Sequence, residues 1–297
     1  MSDFISVVIA GVAQGVPVFI VASGLTLIYG VLHVLNFAHG AFFLIGAFIV
    51  TSTLQSDTIG SFLLSLLIAG VGVMAVGVVS EVAVFRRLYK AGSTVSFLGA
   101  FALFLALTGI SILIWGTNPK TVAYPKGLNG SFDVLGARIS QYDAAMVIVG
   151  VVIAVGLWLL LTKTSLGARV RAVSQDRTMA MALGIRVRRV STMVFAIGAF
   201  LAGVAGALIT PVSSIDEGLA LSSDYMIPAF IVIIVGGLGS VPGALIAALG
   251  LGIIESILFR VAPGLSGFSY YLVVAVFLMF RPQGLFGSPS HSFKMAR

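Results

Sequence analysis

From residue 5 to residue 54 the chain carries no Asp, Glu, Lys or Arg. An uninterrupted helix of that length, at ~1.5 Å per residue, would be roughly twice as long as a ~30 Å hydrocarbon core requires. The stretch therefore reads as two spans, about 5–32 and 37–54, with a break at His33-Val34-Leu35-Asn36-Phe37-Ala38-His39-Gly40. Further apolar runs follow at about 58–83, 95–115, 142–162, 190–210, 224–237, 243–260 and 267–281. Eight or nine crossings result, according to how the breaks are counted. Only 9% of the residues are charged, against about 25% in an ordinary soluble domain, so the chain cannot cover a water-facing surface. The runs are near-continuous over about 20 residues, whereas barrel strands alternate over about 10. The expected fold class is all-α: a polytopic transmembrane helical bundle with broken helices, forming one domain over residues 1–297.

Charge gives the expected orientation. If the polar segment Lys163–Arg189 is cytoplasmic, loop 116–140 is outside and residues 84–94 are inside. In the same register 211–223 is outside, 238–242 inside, 261–266 outside and the C-terminus inside. Lys120, Lys126, Arg138 and Arg260 then fall outside, leaving thirteen of the seventeen Lys and Arg residues inside. Loop 211–223 carries Asp216 and Glu217 and no base. This is the positive-inside pattern, and it places the N-terminus outside. The same pattern accounts for the net charge of +7 without nucleic acid as a partner; the partner is the lipid bilayer. The start, Met-Ser-Asp-Phe, lacks the positive region of a signal peptide, so the first apolar run is expected to be retained.

Lys163–Arg189 is the longest polar segment between two bilayer-length runs, with seven Lys or Arg residues against the single acid Asp176. It is expected to form one helix, capped at its start by Thr164 or Ser165 and ended at Gly184. Leu166, Val170, Val173, Ala180 and Leu183 fall near one face; Arg169, Gln175, Asp176 and Arg177 lie mostly elsewhere. A basic amphipathic helix can simply rest on anionic headgroups. The length and capping of this one exceed what topology requires, which suggests a surface offered to a soluble partner.

Polar residues within apolar runs are the other candidates. His33, Asn36 and His39 recur at intervals of three within the first break. Either they line a transport route, or Asn36 caps the second half-helix while the histidines bond carbonyls freed by the break. The two histidines are six apart, not the i, i+4 pair of a zinc helix, and no carboxylate is near, so no metal site is expected. Glu255 lies in an apolar run five residues before Arg260; it reads as reaching the interface, the alternative being a proton relay. Asp143 and Glu81 sit at span ends and need no special role. Gly-Gly-Leu-Gly-Ser-Val-Pro-Gly (236–243) lacks the Lys and Ser/Thr of a Walker motif and reads as a turn. Any ATP used in transport must then be hydrolysed by another polypeptide. Small-residue runs such as 198–208 and 243–252 suit close helix packing in lipid. A self-sufficient carrier or channel would need functional membrane acids, of which Glu255 is the one deep candidate. An intramembrane enzyme would need a nucleophile motif or metal set that the chain lacks.

Several motifs occur in one order: Gly24-Leu-Thr-Leu-Ile-Tyr-Gly before Asn36-Phe-Ala-His-Gly, then Thr108-Gly-Ile-Ser, Thr164-Ser-Leu-Gly-Ala-Arg-Val-Arg-Ala-Val-Ser-Gln-Asp-Arg, Phe195-Ala-Ile-Gly, Gly236-Gly-Leu-Gly-Ser-Val-Pro-Gly and Arg281-Pro-Gln-Gly. Over about residues 10–287 the chain resembles the permease subunits of branched-chain amino acid ABC importers of the LivH type. The resemblance implies a bacterial inner-membrane permease with no cofactor of its own. The implied partners are a second similar permease, two cytoplasmic ATPase subunits and a periplasmic substrate-binding protein. It also implies that residues 169–184 are the coupling helix that docks on an ATPase. Arg169, Arg171, Gln175, Asp176, Arg177 and Gly184 would form that contact, within the segment 163–189. Branched-chain or related amino acids are the implied substrates; urea, short amides and aromatic acids remain open.

Overall fold

A computed structural model describes residues 2–89, 92–134, 137–215, 219–266 and 268–286. Lys90, Asp216, Glu217 and the segment 287–297, which entered the charge argument, lie outside the described residues. In chain order the elements are α1 (Ser2–Leu32), α2 (His39–Thr53), α3 (Ile59–Ser80), a π-turn (Glu81–Phe85), α4 (Arg86–Leu88) and α5 (Ser93–Trp115). A hairpin of β1 (Ser131–Val134) and β2 (Ala137–Ser140) leads into α6 (Gln141–Lys163), α7 (Ser165–Gln175) and α8 (Arg177–Ala182). The chain continues through α9 (Val187–Ile209), α10 (Leu219–Gly236), α11 (Val241–Val261), α12 (Pro263–Ser266) and α13 (Ser269–Phe280).

Among the described residues six helices are long and apolar enough to cross a membrane: α1, α3 with its extension to Leu88, α5, α6, α9 and α11. The remaining apolar helices, α2, α10 and α13, are shorter. Each of the expected apolar runs is thus a helix, but length and composition alone qualify six as spans. α2, with 15 residues, is about 22 Å long, short of a ~30 Å core. Among the described residues the departure from helix that forms strands is the β1–β2 hairpin in loop 116–140, paired antiparallel with Ser131 opposite Ser140 and Val134 opposite Ala137.

α9 is the inner post, buried along most of its length and packed against α1, α2 and α3. Glycine lets these backbones meet. A Cβ on Gly203 would stand 2.7 Å from the Val73 Cβ of α3, and Gly203 also faces Gly46 of α2. α1 and α11 run antiparallel in the same manner: a Cβ on Gly11 would stand 2.6 Å from the Ile253 Cα, and one on Gly15 2.6 Å from the Ala248 carbonyl oxygen. In lipid, where apolar burial drives little association, such close approach is what holds helices together. α5 and α6 turn large apolar side chains outward, including Leu113, Ile114, Ile148, Val152 and Trp158.

The two ends of the bundle differ. At one, loop 116–140 is tied down by bridges between Thr58 and Lys126 and between Lys120 and Ile215. At this end Trp115 Nε1 also donates to Ser52 Oγ at 2.7 Å. At the other, the end of α1, the end of α6, α7 and the turn into α11 surround one cavity. There Leu285 and Phe286 close on the α10 terminus, donating to the Val235 and Gly236 carbonyls.

Candidate functional site

The segment expected as one helix is two. Asp176 adopts an extended conformation (φ −152°, ψ 106°), so α7 stops at Gln175 and α8 starts at Arg177. The physical reason is the Asp176 side chain, whose Oδ1 accepts the N–H groups of Thr178 at 2.8 Å and Met179 at 2.9 Å. Asp is a poor interior helix residue and a strong N-cap. One oxygen of its exposed carboxylate is thereby engaged by the backbone. Thr164 caps α7 as expected, accepting the Gly167 N–H at 3.1 Å.

α8 ends in a Schellman closure. Ile185 N–H donates to the Ala180 carbonyl and Gly184 N–H to the Met181 carbonyl, both at 3.0 Å. This closure requires φ +79° at Gly184, a left-handed conformation that costs a residue with a Cβ about 1–2 kcal/mol.

Val170, Val173 and Ala180 are buried as the apolar pattern anticipates. Leu183 is not: it is 73% exposed, with Met179 and Met181 also exposed on α8. Ending the helix at Ala182 rotates Leu183 away from the packed face. Arg169, Arg171, Gln175, Asp176, Arg177 and Gly184 are all exposed. The surface is therefore apolar at α8 and cationic around it. Exposed apolar side chains rimmed by polar ones mark interaction sites.

Beneath α7 lies a cavity of about 680 Å³, with Thr26, Trp158, Arg171, Gln175 and Ser240 among its lining residues. One side of α7 therefore faces open space rather than packed side chains. Arg171 bridges back to α6 by donating to the Leu161 carbonyl.

The first break is a re-entrant turn. α1 ends at Leu32, His33 takes φ +54°, and His39 then returns to Val21, with its Nε2 3.1 Å from that carbonyl oxygen. Val21 lies eleven residues before the end of α1, so six connecting residues retrace about 16 Å of helix. α2 consequently starts inside the bundle. The structure separates the three polar residues. His33 is exposed beside Tyr29, at a ring separation of 5.9 Å, whereas Asn36 and His39 are buried. Asn36 Oδ1 accepts the Ala38 N–H at 3.1 Å, close to the capping role considered for it. Asn36 Nδ2 and His39 Nδ1 are buried without a hydrogen-bond partner. Glu255 is half-buried on α11, with one carboxylate oxygen unpartnered. No group of three or more His, Cys, Asp or Glu among the described residues could hold a metal ion.

Glu81, expected at a span end with no special role, is instead a buried ion-pair partner. It is 1% exposed and accepts from Arg86 Nη2 at 2.8 Å and Thr192 Oγ1 at 2.9 Å. Its spacing of five from Arg86 matches no α-helical pair, and the π-turn alone brings the two together.

These features define a class: a polytopic helical membrane protein with a short helix that starts inside the bundle and an exposed basic helix pair. The chain belongs to the family of branched-chain amino acid transport system permease components, whose family model matches residues 7–280. It is 29% identical to the high-affinity branched-chain amino acid transport permease BraD of Pseudomonas aeruginosa, over 96% of each chain. Its identity to LivH of Escherichia coli K12 is 28%, again over 96% of each. A ribose import permease, RbsC of Bacillus subtilis, is 29% identical over 62% of this chain and 56% of its own length. The chain is accordingly a membrane permease component, and the relatives are transport proteins rather than enzymes.

Proposed function

We propose that this chain is the membrane-spanning subunit of an ATP-driven importer for branched-chain or related amino acids, working by alternating access. The carrying observation is the α7–α8 pair: two capped helices presenting Met179, Met181 and Leu183 within a ring of arginines, beside an open cavity. A resting place on lipid headgroups would need one amphipathic helix and no such closure at both ends of α8. In this reading a cytoplasmic ATPase receives α8 in a groove, its acids meeting Arg169, Arg171 and Arg177, with Gln175, Asp176 and Gly184 fixing the shape of the contact. ATP binding displaces the pair, and α7 carries the displacement into α1, α6 and α9. Such a change requires each ligand to bind the two states unequally; ATP, loaded binding protein and solute supply the differences.

The assembly proposed is this permease with a second similar one, two ATPase subunits and a periplasmic binding protein, in the bacterial inner membrane. The N-terminus is periplasmic and the C-terminus cytoplasmic, on the charge asymmetry of the loops. Counting α2, α10 and α13 with the six long helices gives nine, the upper of the eight or nine crossings expected, in one transmembrane domain. His33, Asn36 and His39 mark the turn beside the solute route, and the burial of His39 against the Val21 carbonyl supports a role for it in pinning that turn.

The test is ATPase stimulation by loaded binding protein in the reconstituted complex after Gly184→Ala or Asp176→Ala. The proposal expects stimulation to fall; stimulation surviving both replacements removes α8 from coupling. Uptake by this chain reconstituted alone would favour the self-sufficient carrier.

A further inference from the structure

The junction of α3 and α4 holds a buried carboxylate that the coupling scheme has not used. Glu81 opens the π-turn, in which the Arg86 N–H reaches back five residues to the Glu81 carbonyl. π-turns insert one extra residue into a helix and recur at functional sites. Here the insertion lays the Arg86 guanidinium over the Glu81 carboxylate. Thr192 of α9 completes the arrangement, accepting from Arg86 Nη2 at 3.0 Å while donating to Glu81 Oε2 at 2.9 Å. A single carboxylate thus ties the basic end of α3 to α9.

Next to it is a cavity of about 90 Å³, lined by Glu81, Arg86, Tyr89, Arg177, Arg188 and Ser191. Arg177 is the first residue of α8 and Arg188 lies in the first turn of α9. Neither guanidinium has an ion-pair partner among the described residues. Ser191 Oγ and Tyr89 OH are buried there without partners. Burial, with the Glu81 carboxylate adding to it, pushes the Tyr89 phenol up, so it stays a neutral donor. Three guanidiniums therefore share one small space with one buried carboxylate, and Arg86 holds it.

We propose that Glu81 is a positioning residue with two alternative partners: Arg86 in the arrangement seen here, and Arg177 when α8 is pressed toward the bundle. The proposal rests on α8 being the ATPase contact. Exchange between the two arginines keeps the buried carboxylate paired in both states, avoiding the large cost of stranding a charge. Arg86 is 36% exposed and can turn to water when released. The exchange would join α8 to α3 and α9 through one atom group, a two-state element of the kind that transmits coupling.

The experiment uses the complete transporter in proteoliposomes, with both permeases, the ATPases and the binding protein. Glu81→Gln keeps size and removes charge; Arg177→Gln removes the second partner. Co-purification of the ATPases, ATPase stimulation by loaded binding protein and leucine uptake are all read. The proposal expects co-purification to persist in Glu81→Gln while its stimulation and uptake fall about tenfold, within the usual range of coupling between sites; Arg177→Gln, which also alters the ATPase contact, should lower stimulation and uptake at least as far. The double variant should be no worse than Arg177→Gln alone, since Glu81→Gln then removes an interaction already lost. Glu81→Asp, which keeps the charge, should recover most of the loss. Normal uptake with Glu81→Gln, additive losses in the double variant, or failure of both Glu81→Gln and Glu81→Asp to assemble would each overturn it. Failure of the underlying reading looks different: a thiol placed at Met181 would be equally reactive with and without the ATPases.

Discussion

Asp176 and Gly184 close the two ends of α8. Asp176 accepts the Thr178 and Met179 N–H groups, and Gly184 takes φ +79° so that its own N–H and that of Ile185 return to the last carbonyls. A six-residue helix has almost no stability of its own. The two closures convert residues that would otherwise fray into a firm projection, which is what a mechanical contact requires.

Gly184 has open space where a Cβ would go, so its replacement acts through the backbone alone. Gly184→Ala should destabilise the closure by about 1–2 kcal/mol. Gly184→Asn should be milder, because Asn tolerates the left-handed region. Hydrogen exchange of the Gly184 and Ile185 amides should quicken in that order, and binding-protein stimulation of the ATPases should fall in the same order. Equal exchange in all three proteins would contradict the closure.

Asp176 separates capping from charge. Asp176→Asn keeps a capping oxygen and should leave stimulation near normal. Asp176→Ala loses the cap, at about 0.5–2 kcal/mol, and should reduce stimulation clearly. If Asn were as damaging as Ala, the negative charge rather than the cap would be what the partner reads.

Gly203 tests the close packing of α9. An added methyl meets Val73 at 2.7 Å and the Ala69 carbonyl oxygen at 3.0 Å. Gly203→Ala should lower stability by about 1–3 kcal/mol, and Gly203→Val should prevent accumulation. Thermal unfolding of the detergent-solubilised permease measures the first, and membrane abundance the second.

His39 should behave as a pin. His39→Ala removes the contact to the Val21 carbonyl and leaves a void, an expected loss of about 1–3 kcal/mol with lower membrane abundance. His39→Gln, able to reach the same carbonyl, should restore much of it. Lost uptake at unchanged thermal stability would place the ring on the solute route instead.

The spans were legible because lipid imposes length and polarity together: runs at 95–115 and 142–162 fall within two residues of α5 and α6. The break at residues 33–38 was legible for the same reason, since no bilayer holds a helix that long. What escaped depended on single side chains. The apolar pattern of Val170, Val173 and Ala180 passes through Asp176 without interruption, so periodicity favoured one helix. A signal existed in Asp176 itself, a strong capping residue in mid-segment. Glu81 was hidden more deeply. Its partner five residues on faces another way on an α-helix, and only the π-turn aligns them.

The chain contains no cysteine, so a single Met181→Cys variant carries the one reactive thiol in this subunit. Its labelling by a membrane-impermeant maleimide, in oriented vesicles with and without the ATPase subunits, tests the central claim most directly. The account predicts labelling from the cytoplasmic face alone and protection when the ATPases are bound. Labelling from the periplasmic face, or labelling that the ATPases leave unchanged, would contradict it.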